Sequence, residues 1–274
     1  MCDLDGCGDQ SHLPKIHLDE EQRRLFLKGV ACLPLATVLA YPELASAAAG
    51  SLEEVSLTLD DGSKVSAALA MPEAKSAPAV LLIHEWWGLN DQIKTVAAEL
   101  AQLGYIALAV DLYGGQSAAD AEQAMSLMKA VNPEQATATL TAWVDWLRKH
   151  ENASGKVATM GWCFGGGWSL SASVATPVDA TVIYYGRVNL PADELKNLAG
   201  PVLGHFGTQD QNINQEMVSG FEQAMQEAGK SDTLTVHWYD ANHAFANPTG
   251  ARYDAEDAAT AWQRTTDFLG KNLS

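Results

Sequence analysis

The stretch Gly161-Trp162-Cys163-Phe164-Gly165-Gly166 decides the fold. It follows a short apolar run at 156–160 and opens a stretch, 165–175, with helical spacing. The pattern is G-x-S-x-G with cysteine in place of serine. Between a strand and a helix it makes a turn so sharp that the central residue takes a strained backbone, and the flanking glycines remove Cβ clashes. The helix that follows points its positive end at the central side chain, which favours a thiolate and a developing oxyanion. A buried structural cysteine is the competing explanation, since free cysteines are often buried. The strand–turn–helix setting disfavours it.

On either side of this turn the chain alternates between apolar runs and helical spacing. Residues 55–59 and 65–69 alternate in polarity around Asp60-Asp61-Gly62-Ser63, which reads as a hairpin. Continuous apolar runs at 79–83 and 105–110 read as strands buried on both faces, separated by a helix over 91–103 that Gly104 stops. Helices are expected over 118–130 and 133–150, the second with Pro133 in its first turn. Strands at 180–185, 202–206 and 234–239 follow, with helices over 214–228 and 255–270. This order predicts an α/β fold: a mostly parallel central sheet, helices on both faces, and an N-terminal antiparallel hairpin at one edge. Sites in such sheets form at the carboxyl ends of the strands, where Glu85, Cys163, Asp210 and His243 all fall.

A cysteine nucleophile needs a base and a group to orient that base. His243 lies just past the last strand and Asp210 just past the one before it. The order nucleophile, acid, histidine is that of α/β-hydrolases. His243 would take the thiol proton and return it to the leaving group, while Asp210 would hold the imidazole tautomer. Asp179, Asp193, Asp232 and Asp240 are rivals, but none sits in the loop after the 202–206 run. The oxyanion donors are expected to be the backbone N–H groups of Phe164 and Trp86. His84-Glu85 begins an HExxH-like string, but Gly88 stands where the second histidine would be, so no metal site and no cofactor is implied.

The chain has 274 residues, 47% of them apolar and 19% charged, with a formal net charge of −17. A nucleic-acid binder would need a basic stripe to neutralise phosphates, and none is visible; an anionic membrane surface is disfavoured for the same reason. Gln22-Arg23-Arg24-Leu25-Phe26-Leu27-Lys28-Gly29 precedes a moderately apolar run at 29–40 and small residues at 45–48. It resembles a twin-arginine export signal, recognised by the twin-arginine machinery and cut by signal peptidase near Ala47. An amphipathic helix or a retained anchor would be the alternatives. Residues 1–47 are thus expected to be the signal and 48–274 a single periplasmic domain. Of the four cysteines, Cys2, Cys7 and Cys32 would leave with the signal, so Cys163 alone remains and no disulfide framework is possible. Nothing in the sequence sets an oligomeric state, and a monomer is expected.

These residues together resemble the dienelactone hydrolase family. The likeness runs from about residue 52 to 270 and rests on His84-Glu85-Trp86-Trp87-Gly88-Leu89-Asn90, Asp111-Leu112-Tyr113-Gly114, the Cys163 turn, Tyr184-Tyr185-Gly186, His205-Phe206-Gly207-Thr208-Gln209-Asp210, and His237-Trp238-Tyr239 through His243-Ala244-Phe245. It implies the α/β-hydrolase fold, cleavage of a small carboxylic ester or lactone through Cys163, His243 and Asp210, and a glutamate at Glu85 that contacts the cysteine and helps generate thiolate. The family holds the substrate carboxylate with two arginines, and those places are Ala121 and Asn247 here, neither able to form a bidentate clamp. Arg187 and Arg252 lie nearby in sequence and could substitute for them, which would make Arg187 part of the substrate pocket. Trp86, Trp87, Tyr113, Trp162 and Phe164 could line an aromatic pocket for a less charged ester. A thioesterase or peptidase using the same triad, or a ligand-binding protein without catalysis, are the alternatives.

Overall fold

In the computed structural model, residues 42–274 are described. A short helix, α1 (Pro42–Ala49), leads into a hairpin of β1 (Glu53–Thr58) and β2 (Lys64–Ala70). Then come β3 (Ala77–Ile83), α2 (Asp91–Gln102), β4 (Ile106–Val110), α3 (Ala121–Ala130), α4 (Pro133–Lys149), β5 (Ala153–Trp162) and α5 (Phe164–Ala175). The chain closes with β6 (Ala180–Tyr184), α6 (Ala192–Leu195), β7 (Val202–Gly207), α7 (Gln215–Glu227), β8 (Leu234–Tyr239) and α8 (Ala255–Leu273). The starts of α2, α3, α4, α7 and α8 are capped by Asn or Asp side chains. Asn132, for example, accepts the N–H of Gln135 ahead of Pro133 in α4.

The eight strands form one sheet in the order β1-β2-β4-β3-β5-β6-β7-β8. β1 pairs with β2 and β2 with β4 antiparallel, and the remaining pairs are parallel. This is the α/β-hydrolase fold expected from the sequence. Leu81 and Leu82 show the layering: adjacent in β3, both with no exposed surface, they enter different cores. Leu82 shares its core with Ile93 and Leu100 of α2 and Leu269 of α8, whereas Leu81 shares its core with Leu140, Trp143 and Leu147 of α4. A third core lies under α7, around Phe206 and Phe221.

The chain passes from β3 to β4 on one side, then crosses back to β5 on the other. The loops leaving β3 and β5 therefore part at the middle of the sheet and open a crevice at their carboxyl ends. Ile83 is level with Gly161 across that pair, so His84 onward and Cys163 emerge side by side.

Three elements differ from the sequence reading. β5 begins at Ala153, earlier than its apolar residues suggest, because its first turns pair with Ala77 through an irregularity in register. The short α6 was not anticipated. The alanine-rich segment expected to carry the peptidase site is helical: Ala45, Ala47 and Ala48 are buried, and the Thr95 hydroxyl of α2 donates to the Ala45 carbonyl at 3.1 Å. The arginine pair and the apolar run of the expected export signal lie outside the described residues. Among the described residues, no helix is long and apolar enough to cross a membrane.

Candidate active site

Cys163 sits at the elbow between β5 and α5 with φ 54° and ψ −114°, in the left-handed half of backbone space that side chains avoid. Two close approaches hold it there. A Cβ on Gly165 would run into the carbonyls of Ile83 and His84, and one on Gly161 into the carbonyl of Gly165. The Cys163 N–H donates to Tyr184 in the neighbouring strand at 3.0 Å. Held in this way, the sulfur stands half-buried at the first turn of α5.

The loops after β7 and β8 meet it. The N–H of Thr208 donates to Tyr239 at 2.8 Å and that of Gln209 to Ala241 at 3.0 Å, so the two loops are stitched together. His243 Nε2 lies 3.1 Å from Cys163 Sγ, and His243 Nδ1 lies 2.6 Å from Asp210 Oδ2. The other Asp210 oxygen accepts the N–H groups of Asn212 at 2.8 Å and Ile213 at 3.0 Å. Burial works against the Asp210 charge, yet the His243 contact and those two N–H groups hold its carboxyl below the usual carboxylate range. Burial likewise opposes a charged imidazole, but the Cys163 sulfur and the Asp210 carboxylate raise His243 to about 10. The imidazole thus stands between the sulfur on one side and the carboxylate on the other.

The N–H groups of Phe164, first residue of α5, and Trp86 have no acceptor among the described residues. Trp86 is fixed by its own carbonyl, which accepts the Tyr113 hydroxyl at 3.1 Å. Tyr113 in turn packs against His84 and Phe164. Trp86 and Trp87 cross at 5.0 Å and, with Phe164, pack against Ala121, Ala124, Met125 and Met128 of α3. One side of the site is thus an apolar wall in which Ala121 is a member.

Glu85 is 3% exposed, and both of its oxygens are occupied. Oε2 accepts from Asn247 Nδ2 at 2.7 Å and Oε1 from the Tyr185 hydroxyl at 3.2 Å. The Asn247 amide orientation follows from its other end, where Oδ1 accepts the Thr249 N–H at 3.0 Å and hydroxyl at 2.7 Å. The Glu85 backbone is pinned as well. His84 Nε2 accepts the Leu112 N–H, which leaves its Nδ1 proton for the Glu85 carbonyl. Burial pushes the Glu85 carboxyl above the usual carboxylate range, against the pull of Asn247, His243, Tyr185 and Arg252.

The structure thus brings Cys163, His243, Asp210, Glu85, Trp86, Phe164, Trp87 and Tyr113 around one crevice. Two residues of the expected pocket stand apart. Trp162, the last residue of β5, turns into the core and stacks on Tyr184 at 5.5 Å, because strand alternation sends it to the face opposite its neighbours. Arg187 is an exposed residue of the loop after β6, its backbone against Gly167. Sequence reasoning missed Tyr185 as a site residue. It is wholly buried with φ 37°, 5.2 Å from the His243 ring, and its place just past a strand next to β5 was the available signal.

Known proteins resemble this chain along most of its length. A sequence profile of the dienelactone hydrolase family matches residues 65–273. A carboxymethylenebutenolidase of Pseudomonas putida is 30% identical over 232 residues, covering 79% of this chain and 95% of the relative. Carboxymethylenebutenolidase 1 of Cupriavidus pinatubonensis is 26% identical, covering 78% and 95%. A solved protein of Klebsiella pneumoniae, assigned as a dienelactone hydrolase, superposes with a TM-score of 0.72 at 26% identity, covering 80% of this chain and 99% of that one. By profile, by relatives along most of its length and by fold, the chain belongs to the dienelactone hydrolase family.

Proposed function

We propose that this hydrolase cleaves a small carboxylic ester or lactone by attack of Cys163 on the carbonyl carbon. The observation that carries the reading is the unbroken line from Asp210 to His243 to Cys163, with contacts of 2.6 and 3.1 Å. His243 Nε2 takes the proton of the Cys163 thiol as attack begins. As Sγ bonds to the carbonyl carbon, negative charge moves to the carbonyl oxygen, where the Trp86 and Phe164 N–H groups can receive it. The carbon–oxygen bond to the alcohol then breaks, and the departing oxygen takes the Nε2 proton. An acyl-thioester remains. In a lactone the released hydroxyl stays tethered to it. His243, now neutral, removes a proton from water as the water oxygen attacks the same carbon. Collapse expels the thiolate, frees the acid and leaves the imidazolium.

The test is turnover of an activated aryl ester by the unaltered protein and by Cys163→Ala, with the acyl-enzyme sought by mass spectrometry. The variant is expected to lose at least about a thousandfold in kcat and to form no adduct. Undiminished turnover would refute the mechanism.

The amino-terminal arginine pair followed by a short apolar run supports export by the twin-arginine route to the periplasm, with cleavage near Ala47. Sequencing the amino terminus of the exported protein tests that reading.

A further inference from the structure

We infer that α1 guards the bond at which the export signal is expected to be cut. Docked on α2, the helix hides the small-residue segment around Ala47 from a protease, and the cut is made only when α1 comes away. The inference rests on the export reading for the place of the cut and adds the condition under which it can be made.

A protease takes its substrate as an extended strand, and the segments it nicks are exposed and free of backbone pairing. The residues around Ala47 are neither. They form a helix in which Ala45, Ala47, Ala48 and Ala49 are buried and Ser46 is exposed. Ala48, 1% exposed, shares a small apolar cluster with Ala98 of α2, Leu44 and Leu52. The Thr95 hydroxyl donates to the Ala45 carbonyl at 3.1 Å and ties the two helices together. The chain stays tied past the helix. The Gly50 N–H donates to Ser46 at 2.8 Å and the Ser51 hydroxyl to Ala48 at 2.6 Å, just before Leu52 leads into β1.

Docked helix and cleavable strand exclude each other. The 8 residues of α1 are too few to hold a helix alone in water, however rich in alanine, so the helix keeps its shape by packing on α2. When it comes away the segment loses its helical bonds too and becomes an open, extended chain. Cutting then follows the fraction of molecules in which α1 is undocked. After a cut at Ala47, only Ala48 and Ala49 of the helix remain, and the Thr95 hydroxyl has lost the Ala45 carbonyl. The helix cannot form again, so the guard works once.

The experiment digests the purified full chain with pancreatic elastase, which cuts after small residues, and follows by mass spectrometry the rate of cutting within residues 45–50. Ala48→Asp, which sets a charge against Ala98 and undocks α1, should raise that rate at least about tenfold over the unaltered protein. Thr95→Val, which removes only the tie to Ala45, should raise it about fivefold. A retained cooperative thermal transition shows that the rest of each variant is folded, and either variant suffices if the other is not. Cutting of the unaltered protein within this segment as fast as in a folded variant would overturn the inference. An exported chain that begins far from Ala48 would sink the export reading instead, whatever the digest gives.

Discussion

Two opposed shifts meet across the 2.6 Å contact between His243 and Asp210. Asp210, lowered from 3.8, contributes stability that is present above the unfolded carboxylate value and lost as pH falls through its depressed folded value. His243, raised from 6.5 to about 10, contributes stability that is complete below 6.5 and lost as pH rises through about 10. Both contributions are whole between about pH 4 and pH 6.5. Asp210→Asn should therefore show its largest loss of melting temperature in that interval, with the deficit shrinking toward pH 10. Thermal melts across pH check this, and a deficit that does not vary with pH would contradict it. The same variant should lower kcat by about a hundredfold to ten-thousandfold. Cys163, His243 and Asp210 could be picked out of the bare sequence because each follows an apolar run and carries a local signature. Tyr185 offered only its place just past a strand, and neither its bond to Glu85 nor that of Asn247 could be read, because the bonds span 100 and 162 positions of chain.

The elbow works because two strands and a helix crowd together without side chains between them. Gly165→Ala would drive a methyl into the carbonyls of Ile83 and His84, which are backbone atoms of a central strand and its loop and cannot step aside. The expected cost is about 3 kcal/mol or more, read as a shift in the urea midpoint. A near-neutral result would mean that the approach of α5 to β3 is looser than described. Strands with continuous apolar runs, such as β3 and β4, were legible because burial on both faces leaves only one residue class. The start of β5 was not, since its exposed end carries Ser154, Gly155 and Lys156, residues equally at home in a loop. In α1 an alanine-rich sequence satisfies two readings at once: small residues suit a peptidase, and alanine is the best helix former.

Across the whole molecule, a buried polar hub ties the last helix to the sheet. His205 lies 2.8 Å from the Tyr239 hydroxyl and 3.0 Å from the Thr265 hydroxyl, which also meets Tyr184 at 2.7 Å. Burial, helped by His237 and Arg264, keeps His205 well below the usual histidine range and so uncharged. The hub adjoins the rings of Tyr185 and Phe245, so the helix that closes the fold also braces the site. At this scale the export reading makes a definite prediction. Cys2, Cys7 and Cys32 precede the expected cut, so the exported chain should begin near Ala48 and yield one reactive thiol on titration, against four for the uncut chain. Amino-terminal sequencing with thiol counting checks it, and four thiols on exported protein would contradict it.

The turn that presents His243 also presents Asn247, so a single short piece of chain serves the reacting sulfur with one hand and the neighbouring carboxylate with the other. For anyone redesigning this protein, that turn cannot be swapped as a module: a graft of different length would displace His243 and release Glu85 together. The α3 wall holds none of these polar groups: Ala121, Met125 and Met128 pack with the aromatic side of the crevice. New substrate shapes are best sought by diversifying that wall while the turn is left alone.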